Sequence, residues 1–281
     1  FVQSAEDVHR LRLLLKEEGS DARIVAKIEK PAALEHIDQI IKAADAVMVA
    51  RGDLGVEIPI EEVPFWQKLI VSKCNAAARP VIVATQMLDS MISNPRPTRA
   101  EATDCANAVL DGADALMLSG ETSIGAYPVA AVQTMQRIIK QAEGHASVFE
   151  RHYRPDPASP TFHSDAVCLA ACQLASQISA KAIIGMTVSG YNAYQLAKHR
   201  PRSPVFIFTD NEKLINALNL VWGVRAFYYS SFEGTNETIK DVISILKSQD
   251  LVRPGEWVVN TASMPLQARQ RTNMIKITLV E

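Results

Sequence analysis

The sequence predicts an α/β protein made of two successive units, each a largely parallel sheet wrapped by helices. Three observations carry that expectation. Short apolar runs without polar alternation recur along the chain, such as Ala46-Val47-Met48-Val49-Ala50. Runs of this kind suit strands buried on both faces, as in parallel sheets. Each run is separated from the next by a stretch with helical spacing, four times before residue 143, and such alternation argues for right-handed crossovers. Residues 144–163 then break the pattern with Gly144, Pro155, Pro157 and Pro160, which reads as a linker between residues 1–143 and 164–281.

Taken in order, residues 5–18 predict a helix. Ser4 is a candidate N-cap, Glu6 and Asp7 place acid at the first turn, and Val8, Leu11, Leu14 and Leu15 form an apolar stripe ended by Gly19. Residues 24–30 predict a strand closed by Pro31, and a helix follows to about Ala43. After the strand at 46–50 come Arg51-Gly52-Asp53-Leu54-Gly55, then a helix over about 61–78 and a strand over 81–86. Asn94-Pro95-Arg96-Pro97 is a loop. Thr98-Arg99-Ala100-Glu101 is a capping-box pattern opening a helix that Asp111-Gly112 stops. Residues 115–118 predict a fourth strand and 128–143 another helix. Beyond the linker, helices are expected at 164–179 (capped by Ser164 or Asp165), 191–199, 212–222 and 236–248. Strands are expected at 182–188, 204–209, 224–229 and 257–261. A last strand at 274–280 is reached without a helix, so an antiparallel edge is expected there. The second unit reads as a doubly wound α/β domain.

Composition narrows the function. A formal net charge of −2 gives no support to nucleic-acid or anionic-membrane binding, and no apolar run is long enough to span a bilayer. Cys74, Cys105, Cys168 and Cys172 form no C-x-x-C pair, so buried thiols in a reducing cytoplasm are the expectation. No signal peptide opens the chain. It starts on Phe1 within a helix-entry pattern, which reads as a start inside a larger protein.

The polar residues of the first unit gather at strand ends. The first strand gives Lys27 and Glu29, the second Arg51, Gly52 and Asp53, the third Thr85 and Gln86, and the fourth Ser119 and Glu121. In a parallel sheet these ends lie side by side, at the edge where α/β proteins bind ligands. A charged pair within a buried strand is costly unless partnered, which favours a functional reading of Lys27 and Glu29. Glu29 and Asp53 offer hard oxygen ligands for Mg²⁺ or Mn²⁺. A lysine beside such an ion suits a developing enolate or a transferring phosphoryl group. Gly52 lets the backbone approach an anion, and Thr85, Ser119 and Glu121 suit a proton relay. Phosphoryl transfer and carbanion chemistry at a carbonyl both fit these residues. In the second unit, Thr187, Ser189, Gly190 and Asn192 lie where a strand passes into a helix. An ordinary helix cap is the favoured reading there, an anion site the alternative.

Five blocks, in order, resemble the signatures of the pyruvate kinase family. They are Lys27-Ile28-Glu29, Met48 to Gly55, Ala84 to Leu88, Pro95 to Glu101 and Met117 to Thr122. The resemblance is close over residues 1–143 and looser beyond. It implies a partial (β/α)8 TIM barrel, its four strands corresponding to the fifth to eighth, followed by the family's regulatory and oligomerisation domain. It implies transfer of the phosphoenolpyruvate phosphoryl group to ADP, giving pyruvate and ATP, in a cytoplasmic homotetramer. By resemblance Lys27 stabilises the transition state, and Glu29 and Asp53 bind Mg²⁺ or Mn²⁺. Gly52, Asp53 and Thr85 hold the substrate, and Thr85, Ser119 and Glu121 lie on the route that protonates the enolate. The K⁺ ligands, the substrate-binding arginines and the lid domain belong to a part of the family's chain not matched here, so these 281 residues alone are expected to be inactive. Thr187, Ser189, Gly190 and Asn192 fall on the family's effector phosphate loop, where Asn192 replaces a more usual hydroxyl residue. The stretch Ala262 to Arg271 lacks a glycine-rich effector loop. Two other readings stay open: a Mg²⁺-dependent aldolase or lyase acting on pyruvate enolates, and a non-catalytic regulatory or assembly fragment.

Overall fold

The computed structural model describes residues 1–231, 234–264 and 271–281. Chain contacts divide it into Phe1–Val148 and Phe149–Glu281.

The first unit runs α1 (Ala5–Glu17), β1 (Val25–Ile28), α2 (Pro31–Glu35), α3 (Ile37–Ala43), β2 (Ala46–Ala50), α4 (Arg51–Glu57), α5 (Val63–Ala76), β3 (Val81–Ala84), α6 (Arg99–Asp111), β4 (Ala115–Met117), α7 (Gly120–Ser123) and α8 (Pro128–Glu143). All four strands are parallel and stand in sequential order β1-β2-β3-β4. Sequential order with a helix after every strand winds one way only, which is how a βα barrel grows. The register aligns Ile28, Val49, Val83 and Leu116 in one row across the sheet. The first three are fully buried in the core that also holds Ile40, Leu54, Ile70 and Met91. The adjacent row is Lys27, Met48, Ile82 and Ala115, on the opposite face.

Several local expectations change. β1 is shorter than 24–30 and alternates exposed and buried, because it is an edge strand with one open face. The helix expected over 31–43 is broken at His36, whose backbone leaves helical geometry (φ −109°, ψ 16°). Arg51 to Glu57, between the expected strand at 46–50 and the expected helix at 61–78, is a helix of its own, so the charges after β2 sit in a first helical turn. Thr98 does cap α6, accepting from the Glu101 amide at 3.2 Å, while Glu101 accepts in return from the Thr98 amide at 2.7 Å. Gly112 ends α6 at φ 106°, a backbone state that glycine adopts without a Cβ penalty.

The second unit runs α9 (Phe162–Gln177), β5 (Ala182–Met186), α10 (Tyr191–Lys198), β6 (Val205–Thr209), α11 (Glu212–Leu218), β7 (Val224–Tyr228), α12 (Thr235–Ser248), β8 (Trp257–Ala262) and β9 (Met274–Leu279). Its sheet order is β7-β6-β5-β8-β9, doubly wound about β5, with β9 antiparallel at one edge. Two cores cover its faces, one around Cys168, Ile183, Leu196 and Ile207, the other around Ile184, Phe208, Val242 and Leu246. α9 starts two residues earlier than expected. Thr161 is its N-cap, and Ser164 and Asp165 are buried in its first turn. Among the described residues, no helix is long and apolar enough to cross a membrane.

Candidate active site at the carboxyl ends of the first sheet

Parallel pairing brings the carboxyl ends of β1 to β4 to one edge, and the sequence-predicted residues of the first unit follow them there. Lys27, Glu29 and Asp53 are joined directly. The Lys27 ammonium donates to the Glu29 carboxylate and, at 2.7 Å, to Asp53 Oδ2. The other Glu29 oxygen accepts from the Phe1 amino group at 2.6 Å. The expectation that Lys27 lies inside a strand buried on both faces is not met. Its side chain is 46% exposed on the open face of edge strand β1, and the Glu29 carboxylate just beyond the strand is 8% exposed. The hydrogen bonds from Lys27 and then from the Phe1 amino group hold the Glu29 carboxyl down at about 2. The bonds to Asp53 and then to Glu29 push Lys27 above its ordinary value. Glu29 and Lys27 are therefore both charged at neutral pH.

Beside this cluster, Thr85 and Gln86 follow β3 with φ of 68° and 53°. Non-glycine residues in this left-handed region cost about 1–3 kcal/mol each unless their surroundings hold them. The Thr85 hydroxyl accepts from the Gly52 amide at 2.7 Å and donates to Ala84 O at 2.6 Å. It thus satisfies a first-turn amide of α4 that no helical carbonyl can reach. A Cβ on Gly52 would stand 3.2 Å from Thr85 Oγ1, so this close approach favours glycine there.

The Glu121 carboxylate is 2% exposed and committed to backbone, accepting from Leu88 N at 3.0 Å and Ser119 N at 2.7 Å. Thr85, Ser119 and Glu121 all stand at this one sheet edge. Sequence reasoning placed Arg51 at this edge but gave it no role. Its guanidinium runs beneath the turn after β3, donating to Thr85 O at 2.7 Å and pairing with Asp104 of α6. The available signal was its position: a cation directly after a wholly apolar strand must find partners indoors.

In the second unit, Gly190 opens α10 in the left-handed region at φ 82°, and its amide donates to Thr187 Oγ1 at 3.0 Å. Ser189 is exposed, and its hydroxyl accepts from Tyr191 N at 3.4 Å. Asn192 is buried, and its amide donates back to Met186 O at 3.2 Å. The four residues fall within one six-residue stretch, but Asn192, in the first turn of α10, turns inward to the end of β5. Residues 265–270, within the stretch read as lacking an effector loop, lie outside the described residues.

Comparison with known proteins adds the family. Residues 1–132 match the model of the pyruvate kinase barrel domain, and residues 165–278 match that of the pyruvate kinase alpha/beta domain. The chain belongs to the pyruvate kinase family. All of it aligns with the pyruvate kinase of Clostridium acetobutylicum at 43% identity, covering 60% of that protein. It also aligns with the pyruvate kinase of Geobacillus stearothermophilus at 45% identity, covering 48%. A crystal structure of a pyruvate kinase from Cryptosporidium parvum matches the whole chain with a TM-score of 0.90 at 36% identity, over 57% of that chain. The chain thus spans about half to three fifths of the pyruvate kinases it matches. Its first unit corresponds to part of a pyruvate kinase barrel and its second to the pyruvate kinase alpha/beta domain.

Proposed function

We propose that these 281 residues supply one wall of a pyruvate kinase active site, which transfers the phosphoryl group of phosphoenolpyruvate to ADP in glycolysis. The observation that carries the proposal is the convergence of Glu29 and Asp53, from neighbouring strand ends, on the single ammonium of Lys27. Two carboxylates and one ammonium leave these three side chains a formal charge of −1 (−2 + 1), which would repel a phosphate ester. A divalent cation reverses that sign, and two hard oxygens already drawn toward one cationic centre fit Mg²⁺ or Mn²⁺. When bound, that ion would supply Lewis-acid stabilisation of phosphoryl and enolate oxygens. Glu29 and Asp53 would hold it.

Lys27 then faces the transferring phosphoryl group and the enolate left behind, and its raised pKa keeps it cationic throughout. Asp53, Gly52 and Thr85 border the substrate carboxylate. Because the Gly52 amide is already taken by Thr85, the pair acts as one rigid edge against which the carboxylate is oriented. Ser119 lies on the side from which the enolate carbon is protonated. The same reading includes ADP, K⁺ held by residues outside these 281, a cytoplasmic homotetramer, and a phosphorylated effector at Thr187, Ser189 and Gly190.

The test is a chimera in which the matching 60% of the Clostridium acetobutylicum protein is replaced by this chain. In a coupled assay with phosphoenolpyruvate, ADP, Mg²⁺ and K⁺, the chimera should turn over and its Lys27→Met variant should not. The 281 residues alone should give no turnover. A folded chimera whose rate is indifferent to Lys27→Met would overturn the proposal.

A further inference from the structure

The turn after β3 presents a problem that the sequence alone conceals. Thr85 and Gln86 are not glycine, yet both lie in the left-handed region, and the chain here is in neither strand nor helix. Its backbone groups therefore need partners from elsewhere. They find them in side chains. Arg51 donates through Nε to Ala84 O at 3.4 Å, and through Nη2 to Thr85 O at 2.7 Å and Gln86 O at 3.2 Å. The Cys105 thiol donates to Met87 O at 3.4 Å. From the other side, the buried Glu121 carboxylate accepts from Leu88 N at 3.0 Å while also holding Ser119 N. Arg51 is itself fixed by Asp104 of α6 and, at 3.3 Å, by Gln67 of α5. A cation thus covers the carbonyl side of the turn and an anion takes its outgoing amide, each complementary to the backbone dipole it meets.

We propose that Arg51 and Glu121 are a pair of positioning residues that hold the left-handed Thr85–Gln86 turn, and through the Thr85 hydroxyl lock Gly52 and Asp53 in place beside Lys27. This rests on the reading of the Lys27 cluster as the reacting site. It gives Glu121 a role distinct from proton transfer: its oxygens are spent on amides, and it acts through Thr85. It also explains why the position after β2 takes arginine. Only a planar, multi-donor guanidinium reaches three successive carbonyls and a carboxylate together, and a lysine ammonium does not.

The experiment is amide hydrogen exchange by NMR on the ¹⁵N-glycine and ¹⁵N-valine labelled chain, reading the Gly52 amide that donates to Thr85. Arg51→Lys and Glu121→Gln, chosen because they keep charge or shape, should each accelerate Gly52 exchange about tenfold or more, with Val47 and Val49 of β2 little changed. Adding Gln86→Gly, which removes the Cβ penalty of the left-handed backbone, should return Gly52 in the Arg51→Lys chain toward the wild-type rate. A Gly52 rate unchanged in both single variants would overturn the proposal. So would a rise matched by Val47 and Val49, or a failure of Gln86→Gly to rescue. Mn²⁺ binding by the same wild-type sample is read separately: its absence would count against the metal-site reading while leaving the exchange result to judge the turn.

Discussion

Replacing Lys27 by methionine should release Glu29 to titrate nearer its ordinary range and flatten the acid side of the stability profile of the first unit. Glu29 is held at about 2 against 4.5, first by Lys27 and then by the Phe1 amino group. A displacement of about 2.5 pH units corresponds to about 3 kcal/mol. Lys27 is the larger of two favourable causes, but its side chain is 46% exposed and water screens it, so about 1 kcal/mol is the expected share. The sign follows from the depressed pKa. The contribution is fully present above pH 4.5 and is lost as pH falls from there through about 2. Urea unfolding at a series of pH values measures it. Of the three tryptophans only Trp66 lies in the first unit, so a Trp222→Phe, Trp257→Phe background isolates that unit's transition. The wild type should lose more stability than Lys27→Met between pH 5 and 2, by about 1 kcal/mol. Parallel profiles for the two proteins would refute the assignment of Lys27 as the group that holds Glu29.

Thr98→Ala removes a cap on α6 and should cost about 1 kcal/mol in the same urea assay. Burial pushes the Cys105 and Cys168 thiols up to about 12 and Cys74 and Cys172 higher still, so a disulfide reagent at pH 8 should react with no more than a trace of thiol in the native chain and with all four in denaturant. In the second unit, burial and then the neighbouring Lys198 hold His199 down at about 4, so its imidazole should stay neutral in an NMR titration down to pH 5. Because the folded pKa lies below the unfolded one, that unit should lose stability as pH falls from 6.5 toward 4, by up to about 3 kcal/mol, and His199→Gln should remove that slope.

The fold was legible because apolar run length and spacing are local signals that tertiary packing reinforces. β2, a continuous run buried at both ends, has the predicted bounds Ala46–Ala50, and the Thr98–Glu101 box opens α6 as read. Elements whose state depends on distant partners were not legible. Arg51 to Glu57, which carries Gly52 and Gly55 and was assigned no element from sequence, is a helix whose first turn is capped by Thr85, 33 residues away. The left-handed Thr85 and Gln86 carry no glycine signal because Arg51 and Glu121 hold them instead. The gathering of Lys27, Glu29 and Asp53 was foreseeable from parallel strand ends, and the open edge at β1 follows from a partial barrel of four strands. Asn192 likewise gave no sign in sequence that it turns inward to Met186.

The most direct test of the central reading, that the Lys27 cluster is a divalent-cation site, is Mn²⁺ binding to the chain followed by electron paramagnetic resonance at neutral pH. One ion should bind, and binding should be lost on Glu29→Gln and on Asp53→Asn. Binding should be at least as tight in Lys27→Met, where the competing ammonium is gone. Mn²⁺ binding that neither Glu29→Gln nor Asp53→Asn weakens, or no binding by the wild type, would contradict it.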